Sequence, residues 1–219
     1  TQFLAPLARF KLSMKLAPWR SPLAHALHRH RSQPHSRFFQ LATVTSDGYP
    51  ANRSVVFRGF LENSDRLQII TDDRSEKIEH IQHQPWGEVC WYFTKTREQF
   101  RFFGELIAIG DRTSDAILQQ ARQNLWREIS DNARSQFAWP APKQPRQMNT
   151  EVGFEVGFEV GSEAFSPSPF SPEQPLETFC LLLLDPQQVD HLELRGEPQN
   201  RWIYELDRDK NWHVKQVNP

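Results

Sequence analysis

The chain has 219 residues, is 38% hydrophobic and carries 16 Phe and 7 Trp, which is enough to bury one substantial core and predicts a single domain. Its 26 basic and 27 acidic residues leave a net charge of −1, which argues against nucleic acid or an anionic membrane as a partner. No apolar run approaches the roughly 18 residues that cross a bilayer. Cys90 and Cys180 lie in apolar runs and predict buried thiols in a reducing cytoplasm.

The N-terminal segment 1–17 mixes basic and apolar residues, but its apolar stretches are too interrupted for a signal-peptide core. Met14 stands just before LAPWRSPL, so we expect residues 1–13 to lie upstream of the natural start or to form a tail. Mass spectrometry of natively expressed protein tests this expectation. Ser21 and Pro22 predict an N-cap and a first helical position, with a helix that continues to about Arg31.

The segment from Phe38 to about residue 110 predicts five strands interrupted by one short helix. FFQLATVTS and ANRSVVFRGF flank the turn sequence SDGYP and indicate a hairpin. RLQIITD predicts a third strand, and RSEKIEHIQHQ predicts a helix that ends at Pro85. WGEVCWYFTKT and EQFRFFGELIAIG predict two long strands joined by a turn around Thr96 to Glu98. This pattern favours a barrel.

The second half of the chain predicts helix first and strands afterwards. Spacing of three to four residues between apolar positions predicts one long helix or a broken pair from Thr113 to about Gln136. Residues 140–175, with the short repeat GFEV, predict an extended loop inside one domain that spans 18–219. Four short strands follow in LETFCLLLLD, VDHLELRG, RWIYELD and NWHVKQVN, with the first turn at Asp185-Pro186.

The loop and helix start after strand three hold the residue types that an anion needs. Thr71, Arg74, Ser75 and Lys77 combine hydroxyls, positive charge and the free amides of a helix N-terminus. The plainer interpretation is an ordinary N-cap serine among solvated charges. Arg53 is five positions from Arg58, so ideal alternation places the two on opposite faces of strand two unless a bulge or twist brings both to one ligand.

Four segments in combination resemble the FMN-binding half of the pyridoxamine 5'-phosphate oxidase family: LATVTSDGYPANRSVVFRGF, IITDDRSEK, QP and EQFRFFGEL. NRWIYELDRDKNWHVKQVNP is similar to the closing strands of that family. The resemblance implies a mainly β (α+β) fold, an antiparallel split β-barrel with peripheral helices. It also implies FMN as the cofactor, a homodimer with the flavin at the interface, and a small-molecule substrate.

The resemblance also assigns roles to residues of this chain. Arg53 would reach the FMN phosphate, Arg58 would stand near the flavin ring and substrate, and Ile70 with Thr71 would lie beside the flavin. Ser75 and Lys77 would hold the phosphate, whereas Gln99 and Arg201 would come from the partner subunit. The full set of cofactor-binding residues implied in this way is Arg53, Ser54, Val55, Val56, Arg58, Ile70, Thr71, Ser75, Lys77, Gln99 and Arg201.

The sequence departs from the family at positions that matter for the substrate. Glu76 occupies the place of a second basic residue, and Arg74 is the candidate to supply the missing charge. The substrate-phosphate motif after strand five is absent, which leaves Arg122 and Arg134 as available cations. The Arg-Leu-His substrate signature is absent too, and the flavin-flanking tryptophan is replaced near His191 or Leu192. We therefore predict an FMN-dependent oxidoreductase of open substrate.

Two alternatives belong to other classes of function. One is a flavin carrier or sensor without turnover, and the other is a haem-binding module that uses His191 or His213, although solvent-facing strand histidines are the plainer interpretation. A metal site is not predicted, because arginines interrupt the histidines of ALHRHR. Cys90 lacks a neighbouring base in the sequence, and the aromatic residues follow strand periodicity, as core residues do.

Overall fold

The computed structural model describes residues 16–145 and 171–219, and in these ranges eight antiparallel strands form one sheet. The strands are β1 Phe38–Val44, β2 Pro50–Val56, β3 Leu67–Asp72, β4 Trp86–Phe93, β5 Glu98–Ile109, β6 Phe179–Glu193, β7 Asn200–Leu206 and β8 Trp212–Val217. They follow the order β2-β1-β4-β5-β6-β7-β8, and β3 pairs with β6 outside that path. The predicted mainly β fold is confirmed.

The helices lie at the periphery of the sheet. They are α1 Arg20–Arg29, α2 Glu76–His83, α3 Ala116–Glu128 and α4 Asp131–Ser135, with 3-10 turns at Pro34–Arg37 and Gln136–Ala138. The helical segment after β5 is the broken pair, and the Ser130 hydroxyl caps its second member. None of the helices in the described ranges is long and apolar enough to span a membrane. The repeat and most of the N-terminal tail lie outside the described residues.

The predicted turn at Asp185-Pro186 is wrong, because β6 runs through it as one strand of 15 residues. Its first part pairs with β3 and its last part with β7, while β5 pairs with both parts. The β5–β6 register shifts next to Pro186, and such an irregularity tolerates a residue that has no N–H to donate. Gly104 faces this point, where an added Cβ would lie 2.2 Å from the Asp185 carbonyl oxygen.

The predicted start of α1 is also wrong, by two residues. The helix begins at Arg20 after the N-cap Trp19, which makes no side-chain capping bond, and Ser21 lies inside the first turn. Pro22 still fits, because the first-turn N–H groups of a helix have no partner within the helix.

Two apolar clusters pack on opposite faces of the sheet. The first cluster fills the barrel beneath α1, and the second lies between β6 and the α3–α4 pair. The part of the sheet that continues beyond the second cluster on the same face, called the outer face below, carries Gln99, Arg101 and Phe103 of β5 and their neighbours in register. Four aromatic side chains on it are 39–49% exposed: Phe38, Trp86, Tyr92 and Phe103.

Candidate functional site

Three of the residues predicted to bind a phosphate meet at the end of β3 and the start of α2. The Lys77 ammonium donates to the hydroxyl oxygens of Thr71 and Ser75, at 2.8 Å in both cases. Ser75 is the N-cap of α2, but its side chain makes no capping bond and donates instead to the Asp72 carbonyl at 2.7 Å. The plainer interpretation of Ser75 as a capping hydroxyl is therefore wrong, and the amides at the start of α2 are left without that acceptor.

Arg53 of β2 adds a second positive charge beside Lys77. Burial lowers the pKa of the Lys77 ammonium, and the neighbouring Arg53 lowers that pKa further. Burial likewise lowers the pKa of Arg53. Within the described ranges neither cation forms an ion pair with a carboxylate, so two half-buried positive charges repel each other. A bound phosphate would relieve this repulsion, and the residues present fit the phosphate of FMN.

Glu76 and Arg74 do not take the roles considered for them. Glu76 points to solvent and pairs with Lys143, and the hydrogen bond from Lys143 lowers the pKa of its carboxyl group. Arg74 donates to Asp72 through two nitrogens, at 2.9 and 2.6 Å, and to the Trp139 carbonyl oxygen at 3.0 Å. The proposal that Arg74 supplies a missing charge to the site is not supported, because that charge is already paired.

Arg58 lies in the segment that follows β2, which ends at Val56. Burial lowers the pKa of its guanidinium, and Arg37 lowers that pKa further. Among the described residues its buried Nε has no hydrogen-bond partner. Its guanidinium therefore keeps an N–H group that can bind a ligand.

The remaining residues of the flavin-binding strands differ in what they can offer. Ser54 is exposed and Val56 half-buried on the outer face, whereas Val55 belongs to the barrel core and has only its backbone to offer. Ile70 packs against the second cluster, under α3. Besides Arg53, the side chains of Ser54 and Val56 are thus the ones on β2, among the predicted residues, that can contact a ligand.

Gln99 and Arg201 both lie on the outer face. Gln99 is opposite Leu192 on β6, and Leu192 is opposite Arg201 on β7, so the three side chains form a row. Of the two positions considered for the missing tryptophan, Leu192 is on this face and His191 points into the barrel.

Asp190 holds Arg201 in place, a role that the sequence did not reveal. Its carboxylate accepts from Nε and Nη2 of Arg201 at 3.0 and 2.7 Å, and also from Arg101. Burial raises the pKa of this carboxyl, but the hydrogen bonds from Arg201 and Arg101 outweigh burial and keep the pKa below its ordinary value. The guanidinium of Arg201 is oriented before any ligand arrives.

We expect Asp190→Asn to lower the free energy of unfolding by about 1–2 kcal/mol near neutral pH, a modest value because both arginines are partly exposed. The pKa is depressed in the folded state, so the stability is fully present above the unfolded value of about 3.9 and fades as the pH falls through the folded value. Urea unfolding of both proteins between about pH 7 and pH 3 measures the difference. A difference that grows on acidification would contradict this assignment.

The prediction that Arg122 and Arg134 are available cations is wrong. Arg122 is 3% exposed and donates to the carbonyl oxygens of Phe179 and Leu176 at 2.9 and 2.6 Å. Arg134 is 7% exposed and donates to the Trp126 carbonyl at 2.8 Å and to Asp131 at 2.6 Å. Backbone carbonyl oxygens engage both guanidinium groups, so neither is free to bind a substrate phosphate.

The two histidines considered for haem have different environments. His213 is exposed and bonds Asp207 at 2.7 Å, as a solvent-facing strand histidine does. His191 is 2% exposed, so the same interpretation is wrong for it. Its Nε2 bonds Glu98 at 2.9 Å, and its ring stacks on Phe100 at 4.1 Å.

Ligand atoms of Glu98, His191 and Glu193 lie within 4.8 Å of one another, the spacing of a possible metal site. However, Arg29 and Arg195 line the cavity of about 290 Å³ next to them and oppose a bound cation. The geometry therefore gives a metal ion little support at this place.

Comparison with known proteins supports the same cofactor. Residues 16–110 match the family model described as pyridoxamine 5'-phosphate oxidase, FMN-binding domain. The chain is 38% identical over 207 residues to pyridoxine/pyridoxamine 5'-phosphate oxidase 2 of Arabidopsis thaliana, covering 93% of this chain and 98% of that protein. It is 54% identical to the crystal structure of a pyridoxamine 5'-phosphate oxidase-related, FMN-binding protein from Nostoc punctiforme, with a TM-score of 0.86 and coverage of 94% and 100%.

A crystal structure of PhzG from Burkholderia lata shares the fold, with a TM-score of 0.69 at 18% identity over 94% of both chains. The predicted split β-barrel and the predicted FMN cofactor are both confirmed by these likenesses. The chain therefore belongs to the pyridoxamine 5'-phosphate oxidase family of FMN-binding split-barrel proteins.

Proposed function

We propose that the protein is an FMN-dependent oxidoreductase that acts on a small molecule and works as a homodimer. The observation that carries the proposal is the cationic cluster of Arg53 and Lys77 with the hydroxyls of Thr71 and Ser75, in which neither cation forms an ion pair with a carboxylate of the described ranges. Such a cluster stabilises the phosphate of a nucleotide cofactor. The flavin then supplies two-electron redox chemistry, which side chains do not provide.

The other predicted residues have roles around the ring of the cofactor. Arg58 and Arg201 carry positive charge toward the flavin and substrate, and a cation there stabilises negative charge that develops during reduction. Asp190 keeps Arg201 in one orientation, so less reorganisation is needed when charge develops. Leu192 and Gln99 lie in the same row and would border the flavin of the partner subunit.

The absorbance spectrum of the purified protein and its bleaching by substrates test this proposal. We expect flavin bands, and we expect at least one small reduced compound in a panel to bleach them under anaerobic conditions, with recovery on admission of oxygen. A protein that holds FMN but is reduced by no compound would be a flavin carrier or sensor. A Soret band in place of the flavin bands would identify a haem protein.

We expect a phosphate group on the substrate to raise kcat/KM only slightly. The named Arabidopsis relative is an oxidase of pyridoxine and pyridoxamine 5'-phosphate, but here Arg122 and Arg134 are bonded to backbone carbonyls. We therefore expect pyridoxamine and its 5'-phosphate to differ in kcat/KM by less than about tenfold, since a free arginine would contribute about 100-fold through a charge-assisted bond. Steady-state oxygen uptake with both compounds measures the ratio. A preference for the phosphate of 100-fold or more would contradict the prediction.

The outer face supports the homodimer. Four partly exposed aromatic side chains of β1, β4 and β5 share this face with the row that contains Gln99 and Arg201, and Trp86 stacks on Phe103 at 5.3 Å. A second copy of the chain is the occupant that brings these two polar residues to a flavin bound at Arg53 and Lys77 of its partner. The proposal places the protein in the cytoplasm, in keeping with its two free cysteines, Cys90 and Cys180.

A further inference from the structure

Two buried polar side chains lie directly behind Arg53, and neither takes part in the phosphate cluster itself. Thr43 of β1 is 2% exposed and His80 of α2 is 6% exposed. Nη1 of Arg53 donates to Thr43 Oγ1 at 2.7 Å, and Thr43 Oγ1 lies 2.9 Å from Nδ1 of His80. The three residues thus form a chain that joins β2, β1 and α2.

The chemistry of the three groups constrains these bonds. A guanidinium only donates, so the Thr43 oxygen accepts from Arg53. The Thr43 hydroxyl then either donates to Nδ1 of His80 or accepts from it through its second lone pair, depending on the tautomer of the imidazole. In both arrangements Thr43 joins Arg53 to His80 without bringing a negative charge to Arg53.

Nη1 of Arg53 is fully engaged by this arrangement. It also donates to the carbonyl oxygens of Leu41 at 3.2 Å and Ala51 at 3.1 Å, and among the described residues all hydrogen bonds of Arg53 come from this one nitrogen. A guanidinium is planar, so holding one of its nitrogens fixes the plane. The N–H groups of Nε and Nη2 are left to bind an anion.

We propose that Thr43 and His80 are positioning residues that hold Arg53 in the orientation in which it binds the phosphate of FMN. The inference rests on the phosphate location proposed above. Arg201 and Arg53 are held by different groups: the carboxylate of Asp190 holds Arg201, whereas hydroxyl and carbonyl oxygens hold Arg53 and bring no negative charge that would compete with a phosphate. The buried polar groups of Thr43 and His80 are costly in an apolar interior unless they are paired in this way.

The test compares FMN affinity in variants that remove or preserve each bond. Thr43→Val and His80→Leu remove the hydroxyl and the ring nitrogen, whereas Thr43→Ser keeps an Oγ and His80→Asn keeps an amide that can donate or accept near the place of Nδ1. We expect the first pair to weaken FMN binding about tenfold and the second pair to restore most of the affinity. His83→Leu, on the exposed side of the same helix, is the matched control and is expected to change nothing.

Repeating the substitutions in an Arg53→Ala background separates positioning from general damage to the fold. If Thr43 and His80 act through Arg53, neither substitution has a further effect once Arg53 is absent. Riboflavin affinity should also stay unchanged, because riboflavin lacks the phosphate.

An undiminished effect without Arg53, or full FMN affinity in both Thr43→Val and His80→Leu, would overturn the inference. By contrast, full FMN affinity in Arg53→Ala itself would show that the phosphate lies elsewhere, which is a failure of the proposed site rather than of the positioning roles.

Discussion

Arg53→Ala and Lys77→Ala are each expected to weaken FMN binding by about 1.5–3 kcal/mol, or roughly 10- to 150-fold, because each removes a charge-assisted bond to the phosphate. Fluorescence titration of the apoprotein with FMN measures the change. The effects should not simply add, since the two cations are neighbours whose mutual repulsion disappears with either one.

Arg74→Ala is the control for this prediction. Arg74 precedes Ser75 in the same loop and carries the same charge, but its guanidinium is bound to Asp72 and to the Trp139 carbonyl. FMN affinity should therefore stay within about twofold, as is usual for a surface substitution away from the ligand. A loss in Arg74→Ala as large as that in Lys77→Ala would move the phosphate toward the loop and away from the residues assigned here.

The sequence predicts that Thr71, Ser75 and Lys77 come together, because these residues are close in the chain. Thr71, Ser75 and Lys77 fall within seven residues that leave a strand and enter a helix, and the chemistry of a helix N-terminus makes such a segment readable. The hairpin β1–β2 and the short helix were predicted for the same reason, from turn residues and apolar spacing near in sequence.

The parts that sequence did not predict depend on pairs far apart in the chain. Thr43 and His80 are 37 residues apart and Arg101 and Asp190 are 89 apart, so only the folded sheet brings each pair together. The position of Thr43 on the buried side of β1 is one signal that alternation offers, once the hairpin register is known. Arg122 and Arg134 were mispredicted because the sequence does not show which backbone carbonyls a helical arginine will bind. Arg122 binds carbonyl oxygens that are 54 and 57 residues away, and Arg134 binds one that is eight residues away.

The outer face connects FMN binding with dimer formation. Outside the phosphate cluster, we expect the largest effect on both from a substitution on this face. Phe103 is 39% exposed, stacks on Trp86 and lies four residues from Gln99 on the same face of β5. If two copies meet on this face, Phe103→Asp places a charge in each half of an apolar contact. We expect each charge to lower the free energy of dimer dissociation by about 3 kcal/mol or more. We expect the protein to sediment as a monomer at micromolar concentration.

The same variant should lose FMN although Arg53, Lys77, Thr71 and Ser75 are untouched, because a monomer lacks the partner's Gln99 and Arg201. Ile117→Asp is the matched control: Ile117 is 78% exposed on α3 and lines a cavity with Phe60 and Gln68, so the same substitution there should leave both the dimer and the flavin in place. Sedimentation velocity read at the flavin and protein wavelengths follows both properties at once. A Phe103→Asp monomer that retains full flavin occupancy would place all of the binding residues in one subunit and remove Arg201 from the site.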